Sequence, residues 1–88
     1  MSHATDKALV NRLRRANGHL ASITTMVEEN RSALEIAQQL QAVISALDKA
    51  KAVLVSHHIE HHLEEAVGEL TPETRQMLSQ LSELARFL

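Results

Sequence analysis

The sequence predicts an all-α protein, with two long helices forming an antiparallel hairpin and a third helix completing the protomer. Three observations lead there. Apolar residues recur at spacings of three and four over two long stretches. Two Gly and one Pro in 88 residues leave the chain few places to turn. With one Phe and no Tyr or Trp, the core must come from Leu, Ile, Val, Ala and Met. One core of this size supplies only ~3–5 kcal/mol, and long helices in so short a chain bury their stripes by associating.

The elements follow in order within a single domain, 1–88. Residues 1–5 are expected to form a flexible arm. A first helix is expected over about 6–29, starting at Thr5 or Asp6, with Leu9, Leu13, Ala16, Leu20, Ile23 and Val27 as its seam. Asn30-Arg31 make a short turn, and Ser32 followed by Glu35 is a capping box that starts a second helix over about 32–67. The seam of that helix is Ile36, Leu40, Val43, Leu47, Ala50 and Leu54, and its expected length is roughly 50 Å at 1.5 Å per residue. Ile44, Val53, Val55 and Ile59 lie off this stripe, so a lone hairpin leaves apolar surface uncovered. A second hairpin is the natural cover, giving a four-helix bundle from two chains. Gly68 and Glu69 end the second helix, and Thr71-Pro72-Glu73 reads as cap, N1 proline and first-turn acid of a third, over about 72–87.

Composition narrows the function. The absence of Cys removes disulfides, thiolate ligands and thiol nucleophiles. No apolar run reaches the ~18 residues of a membrane span, and no signal-peptide core is recognisable, so a cytoplasmic protein without a membrane partner is expected. Residues 1–51 carry seven Lys/Arg against five Asp/Glu, and residues 52–88 carry two against six. An anionic partner should therefore meet the first half. Arg12, Arg14 and Arg15 lie on the first helix and Lys49 and Lys51 on the second. A hairpin turning near residue 31 sets position 13 beside roughly position 49, so the two clusters converge. Such a cluster could contact DNA phosphates with strongly salt-dependent affinity, although on its own it also fits an ordinary solvated face.

Four of the six histidines fall in Ser56-His57-His58-Ile59-Glu60-His61-His62-Leu63-Glu64-Glu65. His58 and His62 stand one turn apart, as do His57 and His61, and such pairs can place two imidazoles on one metal ion. Glu60, Glu64 and Glu65 could add oxygen ligands or orient the rings. Imidazole and carboxylate suit Zn(II), Ni(II), Co(II) or Cu(II), whereas Cu(I) prefers sulfur.

The ordered set Asn11-Arg12-Leu13-Arg14-Arg15, Gly18-His19-Leu20, Gln38-Gln39-Leu40, Ala42-Val43, Leu47-Asp48-Lys49-Ala50 and the pair His58 and His62 resembles the metal-sensing repressors of the CsoR/RcnR type, which include copper, nickel/cobalt and formaldehyde branches. The resemblance covers nearly the whole chain. It implies a three-helix protomer, a dimer built on an antiparallel four-helix bundle, commonly a homotetramer, and a non-enzymatic repressor that releases operator DNA when its effector binds. It places Arg12 and Arg15 on DNA-contacting positions, Lys49 on a position that is usually basic, and His58 and His62 on metal-ligand positions. His3, in Met1-Ser2-His3, matches an additional ligand of the nickel/cobalt branch. The family's cysteine falls on Ala33, and the Tyr and Glu that support the copper site fall on Ser32 and Gln80. The expectation is a divalent-metal repressor, with Ni, Co or Zn favoured over Cu(I), in which His3, His57, His61 or a Glu completes the site. A metal-buffering helical oligomer and a repressor of non-metal effector are the alternatives. Phosphotransfer is disfavoured, because no Lys-Gly follows any histidine of the stretch.

Overall fold

The computed structural model describes residues 6–85 and residue 87. They form three helices, α1 (Lys7–Glu28), α2 (Ala33–Val67) and α3 (Pro72–Ala85), with no strand among the described residues. The boundaries fall within two residues of those expected. The arm at 1–5, and with it His3, lies outside the described residues.

Each helix begins where a side chain can satisfy its first amides. Asp6 caps α1 by accepting from the Leu9 amide at 3.0 Å. Ser32 caps α2 by accepting from Glu35 at 3.2 Å, and Thr71 Oγ1 accepts from the Thr74 amide at 3.1 Å before α3. The end of α1 is a Schellman turn: the Arg31 amide bonds Met26 O at 3.0 Å and the Asn30 amide bonds Val27 O at 3.1 Å. Asn30 takes the left-handed conformation this requires, φ 57°. Gly68, φ 91°, ends α2, and a side chain there would be strained whatever the space around it.

α1 and α3 both pack on α2, the long rod of the molecule. At 35 residues α2 runs about 52 Å, matching the 55 Å long axis of the chain. The expected seams divide in two. Leu9, Ala16 and Ile23 of α1 meet the protomer core together with Val43 and Ala50 of α2, and all five are buried. The alternate seam positions, Leu13, Leu20, Val27, Leu40, Leu47 and Leu54, are 36–54% exposed. Ile44, Val55 and Ile59 are also exposed, as expected of a lone hairpin, whereas Val53 is half-buried. No helix among the described residues is long and apolar enough to cross a membrane.

Candidate nucleic-acid interface and metal ligands

The hairpin register builds a basic cleft midway along α1 and α2. Arg12, Arg15, Ala16 and His19 from α1 and Ala46 and Lys49 from α2 line a space of about 290 Å³. Arg12 and Arg15 are about 60° apart around α1 and so share a face, and Lys49 reaches the same cleft across the hairpin. Of the two clusters expected to converge, Arg12, Arg15 and Lys49 come together, and Lys51 does not line this cleft. Arg14 is not part of it. Lying about 200° around the helix from Arg12, it lines a separate groove with Lys7, Val10 and Asn11.

Among the described residues, no carboxylate lines the basic cleft. His19 does, and its Nε2 donates to Gln39 Oε1 at 2.6 Å, bridging α1 and α2. The register that sets position 13 beside 49 also sets 19 near the start of the forties, and could have exposed this pair.

The histidine stretch occupies the last third of α2, and its two pairs face different surroundings. His58 and His62 are exposed, with ring centroids 4.4 Å apart in an edge-to-face arrangement. His57 and His61 are half-buried and line a cleft of about 180 Å³ with Glu60 and Glu64 of α2 and Arg75 of α3. Arg75 donates to Glu64 Oε1 at 2.9 Å, tying α3 to α2. His57 continues the inward line of Val43 and Ala50 at seven-residue spacing, and its Nδ1 donates to the buried carboxylate of Asp6. His61 Nε2 lies 2.8 Å from Glu65 Oε1, and His62 Nδ1 lies 3.9 Å from Glu65 Oε2.

Asp6 therefore has two tasks: it caps α1 and anchors that helix start to the histidine segment. The Leu9 amide is the main reason the Asp6 carboxyl titrates below its ordinary value. Burial opposes this effect and the His57 hydrogen bond reinforces it. In the sequence, Asp6 stands out only as a possible helix start. Its contact with His57 spans 51 positions and has no local signature.

The donor chemistry fits a metal ion in part. Two adjacent imidazoles stand one turn apart on an exposed face, the arrangement in which both can reach one ion. Among the described residues, however, no group of three or more His, Asp or Glu could hold a metal. The described residues of one protomer thus set two imidazoles side by side, short of the four donors of a typical zinc site.

The chain is 43% identical over 63 residues, 68% of its length and 54% of the relative's, to the copper-sensing transcriptional repressor CsoR of Mycobacterium ulcerans (strain Agy99). It is 35% identical over 57 residues, 65% of its length and 48% of the relative's, to CsoR of Mycobacterium tuberculosis (strain ATCC 25618 / H37Rv). It is 34% identical over 71 residues, 81% of its length and 74% of the relative's, to the copper-sensing transcriptional repressor RicR of that strain. The chain spans about half the length of the CsoR relatives it matches. No solved structure gives a significant match. The family model described as metal-sensitive transcriptional repressor matches residues 5–86, nearly the whole chain, and the protein therefore belongs to the metal-sensitive transcriptional repressor family.

Proposed function

We propose that this protein is a DNA-binding transcriptional repressor whose operator affinity falls when a divalent metal occupies His58 and His62. The family is one of transcriptional repressors, not enzymes. The observation that carries the DNA half of the reading is the joining of Arg12, Arg15 and Lys49 in one cleft with no carboxylate among its described lining residues. Three cations per chain, repeated by symmetry, suit the regularly spaced phosphates of a duplex. Arg14, on its separate groove, contributes at most to general attraction.

Covering apolar surface supports an oligomer. The exposed seam from Leu13 to Leu54 lies along both helices of the hairpin, and covering half-exposed leucines yields roughly 1 kcal/mol each. A homodimer built as a four-helix bundle buries that seam, and a homotetramer brings further chains near the ends of α2. This arrangement would bring a neighbouring chain's donors to His58 and His62, and His3 is a further candidate donor.

Bound there, the metal would supply a Lewis-acidic centre shared by imidazoles of separate segments. Lys49 and His58 are nine residues apart on the same helix, about 14 Å along its axis. A shift of α2 that suits the ligand set therefore also moves Lys49 relative to Arg12 and Arg15 of α1. Coupling of ~1–3 kcal/mol would change DNA affinity about 5–150-fold. The CsoR and RicR relatives are named for copper. The imidazole and carboxylate donors here, with Ala33 and no Cys, support Ni, Co or Zn over Cu(I).

Fluorescence anisotropy with DNA from upstream of the protein's own coding sequence tests the reading. Tight binding at low salt, weakened by one of Ni(II), Co(II) or Zn(II), is expected, and release by Cu(I) alone would contradict the divalent assignment. Absence of DNA binding removes the repressor, and metal-insensitive binding leaves a repressor of a non-metal effector. Metal binding without specific DNA affinity would favour a buffering oligomer.

A further inference from the structure

Among the described residues lining the basic cleft, His19 is the one titratable group that does not carry a permanent positive charge. It lines the cleft with Arg12 and Arg15 of its own helix and Lys49 of α2, and the facing Gln39 is neutral. Donation from Nε2 to Gln39 Oε1 at 2.6 Å fixes which ring nitrogen carries the proton in the neutral imidazole. Nδ1 is then an acceptor, the wrong polarity for a phosphate oxygen. Protonation at Nδ1 keeps the Gln39 bond, turns that nitrogen into a donor and adds a fourth positive charge beside the other three. Arginine and lysine keep their charge throughout the range in which imidazole chemistry changes.

We propose that His19, held by Gln39, is a proton-linked phosphate contact of the DNA-binding cleft, so that the protein takes up a proton at this position as it binds a nucleic-acid backbone. The inference rests on the repressor reading for its ligand and adds a residue and a linkage to it. Because an arriving phosphate favours protonated imidazole, protonated imidazole must equally favour the phosphate. The effect is independent of base sequence, since backbone contacts carry no sequence information. It is also independent of metal, since His19 belongs to a different part of the hairpin from His58 and His62.

The test is anisotropy on a labelled upstream duplex and on a scrambled duplex of equal composition. It is run in the presence of a chelator from about pH 8 to about pH 6, with wild type, His19→Gln and His19→Ala. Helicity by circular dichroism checks that the variants are folded. Wild type is expected to bind both duplexes roughly threefold to tenfold tighter at the acidic end. At that end its plot of log affinity against log salt should be steeper by about 0.9 per added contact. Both variants should lose this increment while retaining most of the affinity seen at the alkaline end. A pH response that persists in folded His19→Gln, or that wild type lacks, overturns the proposal and leaves the repressor reading standing. Failure of wild type to bind either duplex at low salt overturns both.

Discussion

The basic cleft and the histidine stretch lie on the same helix but are built to different degrees of completeness. The cleft is assembled within one protomer: two packed helices bring Arg12, Arg15 and Lys49 together, and a hydrogen bond from His19 to Gln39 crosses its edge. The histidine stretch presents His58 and His62 as an exposed pair and turns His57 and His61 toward Asp6, Glu65 and the α3 side. A charged surface works with whatever cations it gathers, because each phosphate contact contributes separately. A metal site needs a full ligand shell, and two imidazoles do not make one. On the proposed reading, DNA recognition is written into the protomer while signal detection waits for further donors.

The largest expected effect comes from dismantling the complete region. Arg12→Ala, Arg15→Ala and Lys49→Ala together should weaken DNA binding roughly a hundredfold or more and flatten its salt dependence, read by anisotropy. Arg14→Ala should cost far less than Arg12→Ala, because Arg14 lines the other groove. Equal losses would show that the duplex engages both grooves.

The incomplete region predicts the opposite pattern. His58→Ala and His62→Ala should leave metal-free DNA affinity within about twofold and remove the metal response, an expected loss of up to 5–150-fold regulation. His57→Ala should preserve most of the metal response and instead loosen the start of α1, since its Nδ1 bonds Asp6. If His57→Ala matched His58→Ala in metal affinity, the two histidine pairs would be acting as one site.

A smaller effect concerns the contact linking the histidine segment to α1. Asp6→Ala removes a helix cap and should cost about 1 kcal/mol in urea unfolding. The folded carboxyl of Asp6 titrates below its ordinary value. Its stabilisation is thus complete above the unfolded carboxylate range and is lost as pH falls through the folded value, below about pH 4. Asp6→Asn, which retains a capping oxygen, should reduce the acid sensitivity and keep part of the stability at neutral pH. The smallest effect is expected at Arg75, partly exposed and paired with Glu64. Arg75→Ala should cost no more than about 1 kcal/mol.

The fold was legible in the sequence because its signals are local. Ser32 and Glu35, Gly68, and Thr71 with Pro72 mark helix ends through contacts within a few residues, and the observed boundaries follow them. Convergence of Arg12, Arg15 and Lys49 was legible for a related reason: a short turn fixes the register of both helices. What the apolar pattern could not do was divide its own stripe. Leu9, Ala16 and Ile23 share periodicity with Leu13, Leu20 and Val27, yet only the first set is buried in the protomer. A seam that serves an inner and an outer contact has the same spacing as one that serves a single contact. The pairing of His57 with Asp6 was hidden for a different reason, because it joins residues far apart in sequence. Its only cue is that His57 extends the Val43–Ala50 line.

The central claim is that occupancy of His58 and His62 and engagement of the Arg12, Arg15 and Lys49 cleft oppose each other. Binding linkage makes this measurable from the metal side. The affinity for the metal that weakens DNA binding in the anisotropy titration is determined on free protein and on protein saturated with upstream DNA. The account predicts that DNA weakens metal binding by the same factor, about 5–150-fold, by which metal weakens DNA binding. Equal metal affinities in the two states would contradict it.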